Sequence, residues 1–128
     1  MKKIILFFIL IFSSSISFSQ TGNYDLNGLW ADSNSAAFSN ACIIFSQEGS
    51  DITFSHYLEF NGAPMVEHGK GKIKGNKVEY KVKVSKAIPG WAKVGFHSLV
   101  LSPDGKTLRG IYKDGKGNSG PLVFKKTK

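Results

Sequence analysis

The stretch Lys77-Val78-Glu79-Tyr80-Lys81-Val82-Lys83-Val84 alternates without a break between charged and apolar side chains. Successive residues of a β-strand point to opposite sides, so a period of two separates Val78, Tyr80, Val82 and Val84 from Lys77, Glu79, Lys81 and Lys83. This segment is a half-buried strand, and its neighbours on both sides obey the same rule. Residues 51–61 set Ile52, Phe54, His56, Leu58 and Phe60 against Thr53, Ser55, Tyr57 and Glu59. In 65–74, keeping Lys70, Lys72 and Lys74 in water sends Met65, Glu67, Gly69, Gly71 and Ile73 inward. Leu99 and Leu101 join Leu108, Gly110 and Tyr112 across a turn at Pro103, which leaves Arg109 and Lys113 outside.

Nothing in the chain beyond residue 20 has helical periodicity of useful length. Eight strands are expected, over 26–32, 41–47, 51–61, 65–74, 77–86, 91–101, 107–113 and 120–126. The breaks between them read Glu48-Gly49-Ser50, Asn61-Gly62, Gly75-Asn76, Pro89-Gly90, Pro103-Asp104-Gly105 and Asp114-Gly115-Lys116-Gly117. Such residues tolerate positive φ or fix φ, as tight hairpins require. One longer connection, 33–40, is rich in Ser, Asn and Ala and has room for a short helical turn or a lid over one end. The class is all-β, and consecutive hairpins with short turns predict an eight-stranded antiparallel up-and-down barrel. A β-sandwich is the alternative, but it generally needs Greek-key crossovers for which this chain has little loop length.

The first residues have a different character. Lys2 and Lys3 precede the apolar run 4–12, and serines follow, with Ser17 and Ser19 at the −3 and −1 positions of a small-residue cleavage site. This is the pattern of a secretion signal over 1–19, leaving a single domain over 20–128 that begins at Gln20 and is secreted or periplasmic. A spanning helix needs about 20 apolar residues, so no stable membrane anchor is expected after cleavage. Cys42 is the only cysteine, which rules out an intrachain disulfide, and its neighbours Ala41, Ile43 and Ile44 predict that it is buried.

Near the start of the expected domain stands Leu26-Asn27-Gly28-Leu29-Trp30, and near its end Leu99-Val100-Leu101-Ser102-Pro103-Asp104-Gly105-Lys106-Thr107-Leu108-Arg109-Gly110-Ile111-Tyr112. The first resembles the Gly-x-Trp opening of the calycin barrels, which include lipocalins, fatty-acid-binding proteins and avidins. The second is similar to the penultimate hairpin of small bacterial lipocalin-like domains. The resemblance implies that Trp30 closes one barrel end, with a late basic side chain, Arg109 or Lys125, packed across it. It covers the ends of the domain and not its middle. Only Trp30 and Trp91 are present, which departs from the ligand-stacking tryptophans of an avidin, and the Arg-x-Tyr pair of the intracellular members is absent.

Alternation sends three polar side chains inward: His56, Glu67 and His97. Unpaired burial would be costly, so each must be satisfied by another, by water or by a guest. Together with Phe54, Tyr80 and Tyr112 they are the candidate ligand-binding residues. Two imidazoles and a carboxylate also suit metal ligation or acid–base chemistry, but their spacing matches no metal or catalytic motif, and His68 points outward. There is no phosphate loop, nucleophile elbow or paired-carboxylate signature, and no cofactor is expected.

Charge is unevenly placed. Residues 20–69 hold six acidic side chains and no lysine or arginine, whereas residues 70–128 hold fifteen basic and three acidic ones. The sequence therefore supports three functions. The first is a binding protein that holds a small apolar or amphipathic molecule in the barrel. The second is a non-enzymatic interaction module whose basic outer surface meets anionic glycans or envelope partners. The third is an enzyme built on the inward histidines. Nucleic acid is disfavoured as a partner by export and by the lack of exposed aromatics among the basic residues.

Overall fold

The alternation of 77–84 runs through every neighbouring strand and closes the sheet on itself. A computed structural model of the chain describes residues 24–34 and 38–128. Its strands are β1 (Gly28–Asp32), β2 (Phe38–Glu48), β3 (Asp51–Phe60), β4 (Ala63–Lys74), β5 (Lys77–Val84), β6 (Val94–Leu101), β7 (Thr107–Asp114) and β8 (Ser119–Lys126). Each pairs antiparallel with the next, and β8 returns to β1 through Trp30 with Lys126, Ala31 with Lys125 and Asp32 with Phe124. The molecule is thus a closed up-and-down barrel in chain order, with no helix among the described residues, and not a sandwich. Closure leaves no unpaired strand edge. The expected signal over 1–19 lies outside the described residues, as does the middle of the 33–40 connection; the end of that connection belongs to β2.

The inward faces of the strands form the core. Trp30, Ile43, Val78, Leu99, Leu108 and Phe124 are wholly removed from solvent. Side chains of this size contribute about 1.5–3 kcal/mol each by leaving water. Phe45 sits at the centre of an aromatic group, with its ring centroid 6.2 Å from Trp30, 6.2 Å from Phe54 and 5.6 Å from Tyr80.

One end of the barrel is sealed by the segment before β1. Residues 26 and 27, expected to begin the first strand, cross this end instead, because their partners are side chains and not a neighbouring strand. The Leu26 amide donates to Gln47 Oε1 at 2.9 Å, and Trp30 Nε1 donates to the Leu26 carbonyl at 2.9 Å. Leu26 is fully buried over the core. Trp30 therefore closes this end, but the cation across it is neither Arg109 nor Lys125, whose side chains point outward. Lys126, one residue later and on the inward face of β8, holds its Nζ 5.5 Å from the indole centroid. Gly28 has φ +134°, and a Cβ there would lie 2.1 Å from the Lys128 carbonyl oxygen, to which the Leu29 amide donates at 2.9 Å. The glycine of Gly-x-Trp thus admits the chain that follows β8.

Cys42 departs from expectation. It lies on the outer face, partly exposed, opposite Tyr57. The run Ala41-Cys42-Ile43-Ile44-Phe45 is apolar throughout, so it carries no alternation from which to read its facing. Ile43 and Phe45 take the interior, which puts Cys42 and Ile44 outside.

Candidate binding site at the barrel mouth

The other end of the barrel gathers the β3–β4 turn, the long β5–β6 connection and the β7–β8 turn. Ile88-Pro89-Gly90-Trp91 is a β-turn of the β5–β6 connection: proline presets φ at its second position, Gly90 supplies φ +84°, and the Trp91 amide donates to the Ile88 carbonyl at 3.2 Å. The turn delivers Trp91 to the mouth from the loop and not from a strand, because β6 begins only at Val94. Its ring centroid lies 5.0 Å from that of Phe60, and its Nε1 donates to Glu67 Oε1 at 3.0 Å.

Beneath Trp91 a polar chain crosses the interior. Glu67 Oε2 lies 3.1 Å from His56 Nδ1, and His56 Nε2 lies 2.9 Å from Asp32 Oδ2. Burial pulls the pKa of His56 down, but hydrogen bonds and attraction from Asp32 and Glu67 outweigh it and raise the value to about 9. At neutral pH His56 is therefore a cation that donates from both ring nitrogens. Burial pushes Glu67 up, yet its bond to the His56 cation and that cation's charge bring its pKa below the ordinary value.

His97 behaves oppositely. Burial, reinforced by repulsion from His56 and opposed by the carboxylates, lowers its pKa to about 4, so it is neutral. Its Nδ1 pairs with the Tyr80 hydroxyl at 2.9 Å. Burial drives that phenol well above its ordinary pKa. Among the described residues no buried side-chain nitrogen or oxygen lacks a partner.

Above this layer lies a cleft of about 380 Å³. Phe60, Val82, Trp91 and Tyr112 give it apolar and aromatic walls, while Glu67 and Asn118 supply polar groups. Tyr112 rests against Gly120, where a Cβ would come within 2.8 Å of its ring. Cross-strand pairing sets His97 beside both Tyr80 and Tyr112, one row deeper than Gly95 and Val82.

The six candidate residues thus divide. Glu67 and Tyr112 line the cleft. His56 lies inside the barrel, both nitrogens committed, and His97 occupies the row below the cleft. Phe54 and Tyr80 are packed together in the core, ring centroids 4.4 Å apart, and do not line the mouth. Five participants escaped the sequence reading as site residues: Asp32, Phe60, Val82, Trp91 and Asn118. Asp32 was accessible to it, since it shares a strand face with Trp30. Trp91 was not, because its position depends on a loop conformation.

With both nitrogens of His56 donating, that imidazole has no lone pair for a metal or a proton near neutrality. Among the described residues no group of three His, Cys, Asp or Glu side chains is arranged to hold a metal ion. No family model, curated protein or solved structure matches the chain.

Proposed function

We propose that this protein is an exported, lipocalin-like binding protein that takes a small apolar or amphipathic molecule into the cleft at the barrel mouth. The observation that carries this reading is the cleft itself: about 380 Å³, walled by Phe60, Trp91 and Tyr112 over a barrel whose opposite end is sealed. Ligand sites commonly occupy roughly 300–1,000 Å³, with apolar walls and a few placed polar groups. Glu67 and Asn118 are such groups. The Gly-x-Trp opening and closed eight-strand barrel support the calycin-like part of the reading, and the charged, apolar and small-residue order of 1–19 supports export. The engagement of both His56 nitrogens speaks for binding over acid–base catalysis.

Titration with the neutral fluorophore N-phenyl-1-naphthylamine tests the binding reading. Saturable uptake with energy transfer from tryptophan is expected, with the transfer reduced in Trp91→Phe and affinity about tenfold weaker in Tyr112→Ala, which removes a buried aromatic contact. Absence of saturable uptake contradicts the reading. Intact mass of exported material checks the processing separately: a chain beginning at Gln20 is expected, and retention of 4–12 in a membrane fraction contradicts export.

A further inference from the structure

The barrel wall formed by β4 to β7 is charged on the outside in one sense. Lys70, Lys72 and Lys74 project from β4, and Lys77, Lys81 and Lys83 from β5; all six are exposed. Arg109 and Lys113 extend the set on β7. Glu79 is the one acid among the outward residues of these strands. Among the described residues, Lys72 and Lys77 alone of this face have a carboxylate within ion-pair distance, Asp51 and Glu79 respectively. A depression of about 250 Å³ lies over Gly71 between them, walled by Lys70, Lys72, Lys74, Lys77 and Lys81, with Phe96 and the one carboxylate, Glu79, paired to Lys77, also lining it.

The wall carries apolar side chains as well. On the outer side of β6, Val94 is 52 % exposed, Phe96 37 % and Val100 50 %, and Ile111 of β7 is 46 % exposed. They stand among the cations and not apart from them. Lys83 pairs across the strand with Val94, Lys81 with Phe96 and Lys77 with Val100, while Lys113 and Arg109 flank Phe96 and Val100 from β7. Phe96 is thus an exposed aromatic between two lysines, which the sequence reading did not expect.

We propose that this wall is a docking surface for an anionic phospholipid bilayer. The lysine ammoniums meet headgroup phosphates, one of them in the depression over Gly71, and Phe96, Val94 and Val100 enter the boundary between headgroups and acyl chains. Charge complementarity selects an anionic partner. The interleaved valines and phenylalanine select a bilayer over a soluble polyanion, because sugar and phosphate chains offer aliphatic side chains no apolar medium, whereas the bilayer interface does. Such docking is peripheral and reversible, and it is independent of the ligand cleft at the mouth.

Flotation with vesicles tests this. Vesicles of phosphatidylcholine with about 30 % phosphatidylglycerol should carry the protein at low salt and release it in about 0.5 M salt, where charges are screened, while pure phosphatidylcholine should not carry it. Combining Lys70→Gln, Lys81→Gln and Lys113→Gln should weaken partitioning about a hundredfold, since each cation near an anionic surface is worth close to a factor of five. A control pair in turns off this face, Lys106→Gln with Lys116→Gln, should change it far less. Phe96→Ser should weaken vesicle binding and leave binding to dextran sulfate unchanged. Circular dichroism verifies that each variant keeps its β structure, and all these positions are exposed. Failure of the native protein to float, equal binding to neutral vesicles, equal loss in the control pair, or a Phe96→Ser variant that floats like the native protein would each overturn the proposal. The last, with dextran sulfate still bound, would assign the wall to a soluble polyanion.

Discussion

Nε2 of His56 lies 2.9 Å from Oδ2 of Asp32, a contact that joins the end of β1 to the middle of β3 inside the barrel. Because β1 and β3 are not neighbours in the sheet, this is a tertiary tie across the interior. With Glu67 on the other nitrogen, it fixes the charge state beneath the mouth.

A pH dependence follows. His56 has its folded pKa raised from 6.5 to about 9, so its stabilisation is complete below pH 6.5 and is lost as pH rises through about 9. The full loss is on the order of 3 kcal/mol for a shift of this size. His97 has its folded pKa lowered from 6.5 to about 4, so the unfolded chain binds its proton first and stability falls as pH drops from 6.5 toward 4. Glu67 adds to the acid loss, because its lowered pKa favours folding only while it is ionised. Urea midpoints measured between about pH 4 and 10 should peak near 6.5 and decline on both sides. A profile level from 6.5 to 9 contradicts the pairing of His56.

Removing one carboxylate should lower the imidazole pKa and loosen the fold together. Asp32→Asn keeps a hydrogen-bond acceptor beside Nε2 but removes the charge, so the ring titration followed by NMR should move down by a pH unit or more, with about 3 kcal/mol of stability lost. His56→Leu preserves volume, yet it leaves Asp32 and Glu67 buried without their shared cation. It should cost about 3–5 kcal/mol in chemical denaturation, unlike a volume-conserving exchange in a purely apolar core. A titration midpoint unchanged in Asp32→Asn would show that the contact does not set the charge.

Phe54→Ala probes the interior directly. Phe54 is 4 % exposed and its ring lies 4.4 Å from that of Tyr80, so truncation opens a void in the packed aromatic group. A loss of about 3–5 kcal/mol is expected in urea unfolding. A loss below about 1 kcal/mol would mean that the site is loosely packed and already spacious.

The barrel was readable because its strands separate polar from apolar residues cleanly. Val78, Tyr80, Val82 and Val84 announce a dry face, and short turns leave closure as the economical way to cover it. The inward placement of His56, Glu67 and His97 came from the same alternation, and all three are buried. What alternation does not encode is partnership. That His56 meets Asp32 depends on the closed barrel, which brings β1 and β3 within reach across its interior, and that His97 meets Tyr80 depends on the β5–β6 register, which sets the two directly opposite. Cys42 was misplaced because a uniformly apolar run has no facing of its own. Trp91 was assigned to a strand because its setting rests on the turn at Pro89 and Gly90, whose direction is a property of the loop.

Backbone amide chemical-shift mapping decides whether the mouth cleft takes a ligand. On titration of isotope-labelled protein with N-phenyl-1-naphthylamine, saturable shifts are expected at Phe60, Glu67, Trp91, Tyr112 and Asn118, with Leu26 and Gln47 at the sealed end unmoved. Shifts that never saturate, or that fall on the outer wall around Phe96 with the mouth residues unchanged, would contradict a ligand site at the mouth.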